Sequence, residues 1–494
     1  MCGIAGIVGE VDTGLLRRML DAMRHRGPDD RGIFVDDHAA IGQTRLSIID
    51  VEGGHQPLLD EGGERALVAN GEIYNFRALG KGLVGHTMRT RSDSEVPLHL
   101  YEDFGPDMVS RLRGMFALGI WDGTTLYLAR DPVGIKPLYY AIEDGTLYFA
   151  SEIKALRLAS TRIREFPNGH WYRSDRGFVP YAQWPMTVRE DWTEVSAEAQ
   201  LREILPDAVR ARLMADVPLG AFCSGGLDST VVTALAAREL PRFHTFSTGM
   251  EGAPDLENAL RASEFLGTDH HVRVFTEDEV LDALPRVTYH LESFDAALLR
   301  SAVPTYFVSE LARKYVTVVL TGEGADELYA GYSYLRDLSG GPALHQELLR
   351  ITRDLHFLNL QRTDRMTMAH SLEGRVPYLD WEHVVFALSL PTRLKIPGGE
   401  RAEKWILRKA FEESLPDDLL WRNKQKFAEG TGSFDIILRE AERQISDAEF
   451  TREAARAPVR LRTKEELFCF RLFQERFELT PTALRGLVGT TGVY

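Results

Sequence analysis

The hydrophobic pattern of this 494-residue chain changes near residue 185, and the two patterns require different architectures. Before that point, short β-type runs separated by Gly and Asp occur at residues 3–8, 66–69, 116–121, 126–129, 138–141 and 147–149. Helical patterns are few in this half, at residues 14–23, 77–82 and 96–104. The first half therefore predicts an α+β domain of layered antiparallel sheets with flanking helices.

Beyond residue 190, strands alternate with amphipathic helices, which we predict at 197–213, 229–238 and 257–266. This order is typical of an α/β domain with a parallel sheet, followed by a mainly helical part that includes residues 404–413 and 463–477. The polar stretch 185–195 connects the halves, and Ser196 is placed to cap the next helix. We predict domains at 1–190 and 191–485 and a loose Gly/Thr-rich tail at 486–494.

Composition argues against several classes of protein. Hydrophobic residues make up 44% and charged residues 27%, which is ordinary for a globular chain, and the formal net charge of -15 argues against a nucleic-acid partner. The apolar runs are too short to span a bilayer, and the first residues do not resemble a secretory signal. The 3 cysteines are too widely spaced for a disulfide framework. We expect a cytoplasmic protein with no membrane partner.

Cys2 becomes the first residue if an aminopeptidase removes Met1, which the small Cys2 side chain permits. It then carries a thiol, whose ordinary pKa is near ~8.5. It also carries an α-amine, with a pKa of roughly 7.7–8.0, that can accept the thiol proton. One residue would supply both nucleophile and base. The alternative is that Cys2 is only the buried start of a strand, and these residues alone leave both interpretations open.

Other residues of the first half suit the attack of a thiol on a carboxamide. Asn70 and Gly71 can form an oxyanion-binding pair, because Gly allows close approach of the backbone. Arg45 suits a substrate carboxylate, and Glu72 and Asp93 suit an ammonium group. Taken singly, each has an ordinary alternative, since Asn-Gly is a common turn and charged residues mostly lie at the surface.

Taken together, the first half resembles the N-terminal-nucleophile (Ntn), class II glutamine amidotransferases. The matching stretches are residues 2–4, 24–29, 45–50, 55–58, 70–75, 92–93, 114–117, 129–139 and 151–156. The resemblance implies an αββα-layered Ntn-type amidotransferase domain with a working glutaminase. It implies a nucleophile at Cys2, an oxyanion hole at Asn70 and Gly71, and glutamine binding by Arg45, Asn70, Glu72 and Asp93.

In the second half, a predicted buried strand at 217–223 runs into Ser224, Gly225, Gly226, Asp228 and Ser229, and then into a helix. A strand, a Ser/Gly turn and a helix N-terminus together make an anion cradle. The glycine spacing differs from that of the G-x-x-x-x-G-K-[ST] loop, and no Lys follows. Because such turns are common, this one only suggests phosphate binding.

A second strand, at 316–320, leads into residues 321–327 and brings three carboxylates to its carboxyl end, where α/β sheets bind ligands. Asp228 and Asp326 could share Mg²⁺ with pyrophosphate oxygens. Lys424 could neutralise charge on pyrophosphate or on a tetrahedral intermediate. The alternatives are an acidic helix N-terminus, which is favourable in itself, and a solvated lysine.

Residues 224–229 resemble the PP-loop of ATP pyrophosphatases. A longer set, at 254–256, 266–271, 288–292, 321–327, 331–332, 373–380, 403–408 and 422–432, is similar to the glutamine-hydrolysing asparagine synthetases. The resemblance implies ATP as a substrate and aspartate converted through a β-aspartyl-AMP intermediate, with ammonia displacing AMP.

The resemblance also implies roles for individual residues of the second half. The implied ATP contacts are Phe222, Ser224, Gly225, Gly226, Asp228, Ser229, Thr248, Thr321 and Gly322. Arg300, Glu323 and Asp326 would face the carboxylate substrate, and Glu323 and Lys424 would be catalytic. An α/β parallel-sheet PP-loop domain with a helical C-terminal part is the implied fold.

Ala297 and Leu298 depart from this family, whose better-known members have two threonines there. Losing hydroxyls removes hydrogen bonds that discriminate between substrates, although Arg300 remains as a carboxylate anchor. The alternatives are a relative that amidates or cyclises another carboxylate, as β-lactam synthetases and lasso-peptide cyclases do, or a non-catalytic protein with the same fold. The complete set around Cys2 favours ammonia transfer. A homodimer is compatible with such a chain.

Two active sites in one chain require a route for ammonia, because free ammonia in water is mostly ammonium, which is not nucleophilic. A dry passage keeps NH₃ unprotonated. We predict an apolar tunnel from Cys2 to the region between Ser224 and Glu323. Four residues of the matching stretches could line it: Met115, Ile120, Val376 and Leu379.

Overall fold

The computed structural model describes residues 2–338, 341–396, 402–422, 427–481, 483 and 484, so the predicted tail at 486–494 lies outside the described residues. The strands of the first half are β1 Gly3–Val8, β2 Asp30–Val35, β3 Ala39–Arg45, β4 Leu58–Leu59, β5 Ala66–Ile73, β6 Gly114–Trp121, β7 Leu126–Arg130, β8 Tyr139–Glu143, β9 Thr146–Ala150, β10 Arg164–Glu165, β11 His170–Arg173 and β12 Gly177–Pro180. Its helices are α1 Thr13–Ala22, α2 Phe76–Gly80, α3 Val96–Phe104 and α4 Ile153–Leu156.

The second half begins with α5 Glu194–Ala211 and contains the strands β13 Leu219–Phe222, β14 His244–Gly249, β15 Asp269–Val274, β16 Val318–Leu320 and β17 Glu373–Arg375. Its further helices are α6 Leu227–Ala237, α7 Pro254–Leu266, α8 Glu277–Leu291, α9 Ala296–Ala312, α10 Ala325–Tyr329, α11 Gly341–Arg353, α12 Asn359–Met368, α13 Trp381–Ser389, α14 Trp405–Ala410, α15 Asp417–Leu420, α16 Phe427–Gly430, α17 Ile436–Gln444, α18 Asp447–Ala454 and α19 Lys464–Gln474. Among the described helices, none is both long and apolar enough to cross a membrane.

Two six-stranded antiparallel sheets form the first half, in the orders β10-β8-β9-β1-β3-β2 and β12-β11-β7-β6-β5-β4. Successive side chains of a strand point to opposite faces, and the packing follows that period. On β5, Val68 packs between the sheets, whereas Leu67 packs against α3 on the outer face. On β1, Ile4 points between the sheets and Ile7 packs against α1. The result is the expected αββα layering, which the structure confirms.

A five-stranded parallel sheet, in the order β15-β14-β13-β16-β17, forms the centre of the second half. The chain enters at β13, adds β14 and β15 on one side, and then returns to add β16 and β17 on the other. The strand order therefore reverses between β13 and β16. In open parallel sheets, ligands bind at the carboxyl ends of the strands beside such a reversal.

The start of α5 differs from the prediction at Ser196. Thr193 is the N-cap, and its side chain accepts a hydrogen bond from the Ser196 backbone, while the Ser196 hydroxyl accepts one from the Thr193 backbone. Ser196 thus completes a capping box three residues inside the helix. Both residues are good caps, and only the path of the chain decides between them. The predicted domain boundary at 190/191 falls in the stretch between β12 and α5.

Charged residues, fully buried, join the two halves. Arg26 extends from the turn after α1 to Asp364 on α12, with nitrogen–oxygen distances of 2.8 and 3.1 Å, and to Glu152 at 2.8 Å. Burial opposes ionisation of Asp364, but Arg26 holds the pKa of that carboxyl below its usual range. The guanidinium and its partners therefore remain charged although no solvent reaches them.

A second set of buried ions continues this contact. Arg365 lies 3.0 Å from Asp364 and 3.1 Å from Glu292, and Lys154 lies 2.6 Å from Glu152 and 3.0 Å from Glu292. The Glu292 carboxylate also accepts the backbone N–H groups of residues 153 and 154. We call Arg26, Glu152, Lys154, Glu292, Asp364 and Arg365 the interdomain ion network.

We expect Arg365→Met to lower the free energy of unfolding by about 3–5 kcal/mol, because it leaves buried carboxylates with one cation fewer. The measurement is urea denaturation followed by tryptophan fluorescence. Arg443→Met is the matched control, since Arg443 pairs with Glu440 at an exposed helix surface. Its effect should stay within about 0.5 kcal/mol. Equal effects of the two substitutions would contradict a stabilising role for the network.

Candidate active sites

Cys2 immediately precedes β1, a central strand of the first sheet, and both of its backbone polar groups are held. Its nitrogen donates a hydrogen bond of 3.1 Å to Oδ1 of Asn70 on β5, in the second sheet. Its carbonyl oxygen accepts one of 3.0 Å from Nε of Arg26. The side chain is 8% exposed. The thiol is therefore fixed in a nearly closed site, where the two sheets meet the second half of the chain.

The side-chain amide nitrogen of Asn70 is an unused hydrogen-bond donor beside Cys2. Its Oδ1 is used by the Cys2 nitrogen, but Nδ2 is buried and finds no hydrogen-bond partner among the described residues. Buried polar atoms are nearly always paired, so an orphaned amide donor requires an explanation. A donor in this position can stabilise negative charge that develops on a carbonyl oxygen attacked by the thiol.

Gly71 permits the close packing of β5 on β6 at this point. Its φ is +148°, and a Cβ atom there would lie 2.0 Å from the carbonyl oxygen of Met115. A side chain would therefore separate the two strands directly beside Asn70. Asn70 of the predicted oxyanion pair thus contacts Cys2, and packing requires a glycine at the next position.

The environment of the Cys2 thiol has opposing effects on its pKa. Burial raises the pKa, whereas a hydrogen bond from the Leu46 backbone and the charge of Arg45 lower it, and burial prevails. A thiol held neutral in this way needs a base to become a nucleophile. The backbone nitrogen of Cys2, which becomes an amine when Met1 is removed, is attached to the same residue.

Arg45, at the end of β3, lies close to Cys2 but supports the loop that follows it. Its two terminal nitrogens donate to the carbonyl oxygens of Ile49, Asp50 and Val51 at 3.2, 2.7 and 3.1 Å. The side chain is buried. Arg45 therefore lies beside Cys2, and its hydrogen bonds also hold the loop at residues 49–51 in place.

Glu72 and Asp93 lie in an acidic group to which the second half contributes. Nη2 of Arg375, on β17, is 3.4 Å from Glu72, and Nε of Arg375 is 2.6 Å from Glu373. The Asp93 carboxylate accepts a hydrogen bond of 2.6 Å from the backbone of Ile73. Sequence reasoning missed Glu373 and Arg375, although both stand in a stretch, 373–380, that matches the family.

Burial dominates the pKa values of these acids. It raises the pKa of Asp93 to about 6, with repulsion from Glu373 adding to the effect. It also raises the pKa of Glu72 well above its usual range. Burial opposes ionisation of Glu373 too, but Arg375 and Lys136 help to lower its pKa to about 2. Carboxyl groups held in this way are suited to receive an ammonium group from a substrate.

A cavity of about 510 Å³ lies at the carboxyl ends of β13, β14 and β16. It is lined by eleven of the residues that the sequence predicted: Phe222, Ser224, Gly226, Asp228, Ser229, Thr248, Arg300, Thr321, Gly322, Glu323 and Asp326. Gly225 is not among the lining residues. Lys424 lies outside the described residues. The volume is that of a site for a medium-sized organic ligand.

The loop after β13 is held by its own hydroxyl groups. The Ser229 hydroxyl accepts a hydrogen bond of 3.3 Å from the Ser224 backbone and donates one of 3.2 Å to the carbonyl oxygen of Gly226. The helix α6 follows at once, with Gly226 as its N-cap. The arrangement directs the N-terminus of an 11-residue helix at the cavity, which favours a phosphate ligand.

Two glycines allow this loop to pack against its neighbours. Gly225 has φ +68°, and a Cβ atom would lie 2.3 Å from the backbone of Asn258 on α7. At Gly322, in the loop after β16, a Cβ atom would lie 2.8 Å from the Ser229 nitrogen. The loops after β13 and β16 are thus in direct backbone contact, which gives Gly225 a structural role behind the cavity.

Asp228 and Asp326 converge on one cation, the ammonium of Lys404. The Lys404 Nζ lies 2.5 Å from Asp228 and 2.6 Å from Asp326. The two carboxylates are therefore close enough to share Mg²⁺, which prefers a few carboxylate oxygens together with substrate phosphate. The donor set fits Mg²⁺, provided that Lys404 shifts towards the phosphates. Sequence reasoning missed Lys404, although it stands in the matching stretch 403–408.

Glu323 pairs with Arg362 of α12. The neighbouring Glu327 has a pKa close to neutral pH. Burial and the charge of Asp326 raise the pKa of Glu327 to about 7, against a hydrogen bond from the Tyr332 hydroxyl. Asn359 also donates to Glu327, at 3.2 Å. One wall of the cavity therefore carries a group that can exchange a proton near neutral pH.

Arg300 lies on α9, with its Nε 2.6 Å from Glu465 and its guanidinium 4.5 Å from the centre of the Phe434 ring. Ala297 and Leu298 line the cavity one turn earlier on the same helix. These two positions of the wall are apolar where the family's better-known members have two hydroxyls, although Ser301 and Thr305 of the same helix also line the cavity. The guanidinium is present, but in this structure another residue of the chain occupies its donors.

The chain matches two family models that together cover most of its length. A glutamine amidotransferase domain matches residues 1–178, and an asparagine synthase domain matches residues 200–341 and 336–466. It is 37% identical to a probable glutamine-hydrolysing asparagine synthetase of Dictyostelium discoideum, over 95% of this chain and 92% of that protein. It is 38% identical to one of Schizosaccharomyces pombe, over 97% and 94%, and 36% identical to asparagine synthetase B of Escherichia coli, over 98% and 92%.

The raised pKa of Asp93 predicts how the first site depends on pH. Above a pKa of about 6 the carboxylate is charged and attracts an ammonium group, and below it the group is neutral. We expect the KM for an α-amino amide substrate to rise as pH falls through about 6, by up to about tenfold per pH unit. The measurement is substrate hydrolysis between about pH 5 and 8. Asp93→Asn should raise KM at neutral pH and flatten this dependence, whereas the exposed control Asp37→Asn should retain it.

Proposed function

The chain belongs to the family of glutamine-hydrolysing asparagine synthetases, and we therefore propose that it is an ATP-dependent amidotransferase that makes asparagine from aspartate and glutamine. Glutamine hydrolysis at Cys2 supplies ammonia, and ATP activates the β-carboxylate of aspartate. The products are asparagine, glutamate, AMP and pyrophosphate. The observation that best supports the first step is the orphaned Nδ2 of Asn70 beside Cys2.

In the proposed glutaminase step, the Cys2 sulfur attacks the side-chain carboxamide carbon of glutamine, and its α-amine takes the thiol proton. Nδ2 of Asn70 and the backbone N–H of Gly71 receive the oxyanion. Collapse of the tetrahedral intermediate breaks the C–N bond, and NH₃ leaves with the proton that the amine returns. Water then hydrolyses the thioester to glutamate. Asp93 and Glu72 bind the α-ammonium group of glutamine, and Arg45 lies beside the α-carboxylate of glutamine.

In the proposed synthetase step, a carboxylate oxygen of aspartate attacks the α-phosphorus of ATP, and pyrophosphate leaves. Ser224, Gly226 and Ser229 hold phosphate oxygens at the N-terminus of α6, with Phe222, Thr248, Thr321 and Gly322 as further residues of the ATP site and Gly225 supporting the loop from behind. NH₃ then attacks the acyl carbon and AMP leaves. Glu323 and Lys424 act near the intermediate, and Arg300 anchors the α-carboxylate.

Mg²⁺ belongs to this proposal through Asp228 and Asp326. Bound there, the ion would neutralise charge on the pyrophosphate leaving group. Lys404 holds the two carboxylates together before ATP binds and is placed to contact a phosphate afterwards. Glu327, with a pKa of about 7, is placed to exchange a proton beside the same group.

A different carboxylate substrate is the second candidate, and Ala297 and Leu298 are the observation that favours it. Both line the cavity next to Arg300 and offer no side-chain hydroxyl. Without hydroxyls at these two positions, the site cannot use hydrogen bonds from them to select a substrate with a polar group there. A substrate with an apolar group near its carboxylate would therefore fit this wall better than aspartate does.

We also propose a cytoplasmic location, because the three cysteines are all buried and free and so need no oxidising compartment. The proposed small-molecule partners are glutamine, aspartate and ATP. A homodimer remains part of the proposal, and sedimentation of the purified chain measures it directly.

We propose a passage for ammonia through one apolar core. Met115 lies opposite Glu72 in the β5–β6 pairing, at the first site, and Leu379 packs against Gly324 at the second. Met115, Val376 and Leu379 belong to the same buried cluster. Ile120, the fourth predicted lining residue, packs instead in the cluster around α3. The proposed passage therefore runs past Met115, Val376 and Leu379 and not past Ile120.

The function is tested by a mass-spectrometric product assay with ATP, Mg²⁺, glutamine and aspartate. We expect wild type to form asparagine, glutamate, AMP and pyrophosphate. Cys2→Ala should lose glutamine-dependent synthesis by about 10³-fold or more but keep synthesis from added ammonia. Cys469→Ala, at a buried cysteine of α19, is the matched control and should keep both activities.

Two results of that assay would change the proposal. Glutamine hydrolysis by Cys2→Ala at the wild-type rate would exclude Cys2 as the nucleophile. Glutamate formation without asparagine would exclude aspartate as the acyl substrate. A panel of carboxylates with apolar substituents, screened for AMP release, would then identify the second candidate function.

The ammonia passage is tested by Val376→Phe, with Ile120→Phe as its matched control. Each substitution overpacks a core at a cost of about 1–3 kcal/mol, but only the first lies on the proposed route. We expect Val376→Phe to keep glutaminase activity while the ratio of glutamate to asparagine formed rises several-fold. Ile120→Phe should keep the wild-type ratio. Equal ratios in the two folded variants would contradict the route.

A further inference from the structure

Two histidines and two glutamates converge in the first half of the chain, in a cluster that neither proposed active site uses. Glu61 stands in the turn between β4 and β5, and His86 in the stretch between α2 and α3. His99 and Glu102 lie one turn apart on α3. One nitrogen or oxygen atom from each of these four residues falls within 4.8 Å of all the others.

The histidines present the same ring nitrogen to both glutamates. Nδ1 of His86 is 3.1 Å from Oε1 of Glu61 and 3.6 Å from Oε2 of Glu102. Nδ1 of His99 is 3.6 Å from Oε2 of Glu61 and 2.9 Å from Oε2 of Glu102. The two imidazole rings lie 4.6 Å apart between their centroids, tilted by 39°. Glu61 thus meets His86 with one carboxylate oxygen and His99 with the other, while Oε2 of Glu102 meets both histidines.

These separations are those of a tetrahedral zinc site. Zinc–nitrogen and zinc–oxygen bonds of 2.0–2.1 Å place tetrahedral ligand atoms about 3.3–3.4 Å apart. The four nitrogen–oxygen separations between the histidines and the glutamates, 2.9 to 3.6 Å, lie on both sides of that value. We propose that Glu61, His86, His99 and Glu102 bind a Zn²⁺ ion, in a structural site with a closed ligand set.

Each ligand also has a partner behind it. Nε2 of His86 lies 3.1 Å from Asp103, and Nε2 of His99 lies 3.4 Å from Glu95. In zinc sites, a carboxylate behind the histidine fixes the ring and its tautomer and raises the basicity of the ligating nitrogen. Here both histidines have one, which leaves each Nδ1 free to ligate.

The glutamates are held in the same way. Nη1 of Arg65 lies 3.1 Å from Oε1 of Glu102, and the backbone N–H of Thr87 donates to Oε1 of Glu61 at 2.9 Å. The side chain of His99 is 1% exposed and that of His86 14% exposed. The histidines are therefore shielded from water, while Glu61, which is 37% exposed, forms the solvent side of a cluster that its surroundings preorganise.

The position of the cluster gives the ion a structural consequence. Residues 86–92 connect His86 to Asp93, the proposed ammonium contact of the glutaminase site. Arg89 and Thr90 donate their backbone N–H groups to Glu95, which also pairs with His99. A Zn²⁺ ion would fix His86 at the start of this stretch. It would also fix His99, which pairs with the Glu95 carboxylate that holds residues 89 and 90. The zinc proposal is independent of the proposed reaction, because it concerns the order of this segment.

The test is metal binding by the full chain, in a Cys2→Ala background so that the Cys2 thiol does not contribute. The protein is treated with a chelator and then titrated with Zn²⁺, and bound zinc is counted by mass spectrometry. Titration with Co²⁺ reports tetrahedral coordination through its visible absorption. We expect one equivalent of tightly bound zinc, a tetrahedral Co²⁺ spectrum and a rise in Tm on adding Zn²⁺.

Variants locate the ion. His86→Gln and Glu61→Gln, at partly exposed positions, should lose the bound equivalent of zinc, the tetrahedral Co²⁺ spectrum and the rise in Tm. His38→Gln, at an exposed histidine, should keep all three. Asp103→Asn should weaken binding by about 10–100-fold, because it removes the carboxylate behind His86. Unchanged zinc content in His86→Gln and Glu61→Gln, or no zinc bound by the background protein, would overturn the proposal and leave a cluster of ion pairs.

Discussion

The interdomain ion network is the contact on which the rest of the structure depends. Nε of Arg26 donates to the Cys2 carbonyl oxygen, and its two terminal nitrogens donate to Asp364 in the second half of the chain. One side chain therefore fixes the position of Cys2 and joins the two halves. A buried guanidinium is tolerated only when its partners are charged and well placed, which Glu152 and Asp364 satisfy. The docking of the halves and the geometry of the first site are therefore coupled.

A short segment of the second half links the two candidate active sites. On β17, Glu373 and Arg375 reach Glu72 and complete the first site. Four residues further on, Leu379 packs against Gly324 at the second. This short stretch therefore contributes charge to one site and an apolar wall to the other. It therefore lies against both of the sites between which the proposed reaction passes ammonia.

Local pattern predicted much of the first half, because many of its strands carry their own signal. The bounds of β1 and α3 agree with the prediction, and β6, β7 and β9 overlap it closely, whereas β5, predicted at 66–69, continues to Ile73. β3 was missed, since Ala39–Arg45 contains Gly42, Gln43 and Thr44 and has no β-branched run. Its burial comes from its neighbours β1 and β2, which local propensity does not register.

The sequence by itself determined the order of the motifs, the two fold classes and most of the residues that line the two sites. The tertiary structure alone decided that Lys404 joins Asp228 to Asp326 and that Arg375 pairs with Glu72. It also decided that Asn70 keeps one amide donor unpaired. The physical reason is distance along the chain: these pairs are separated by up to about 300 residues, and their charges interact only after folding brings them together and excludes water.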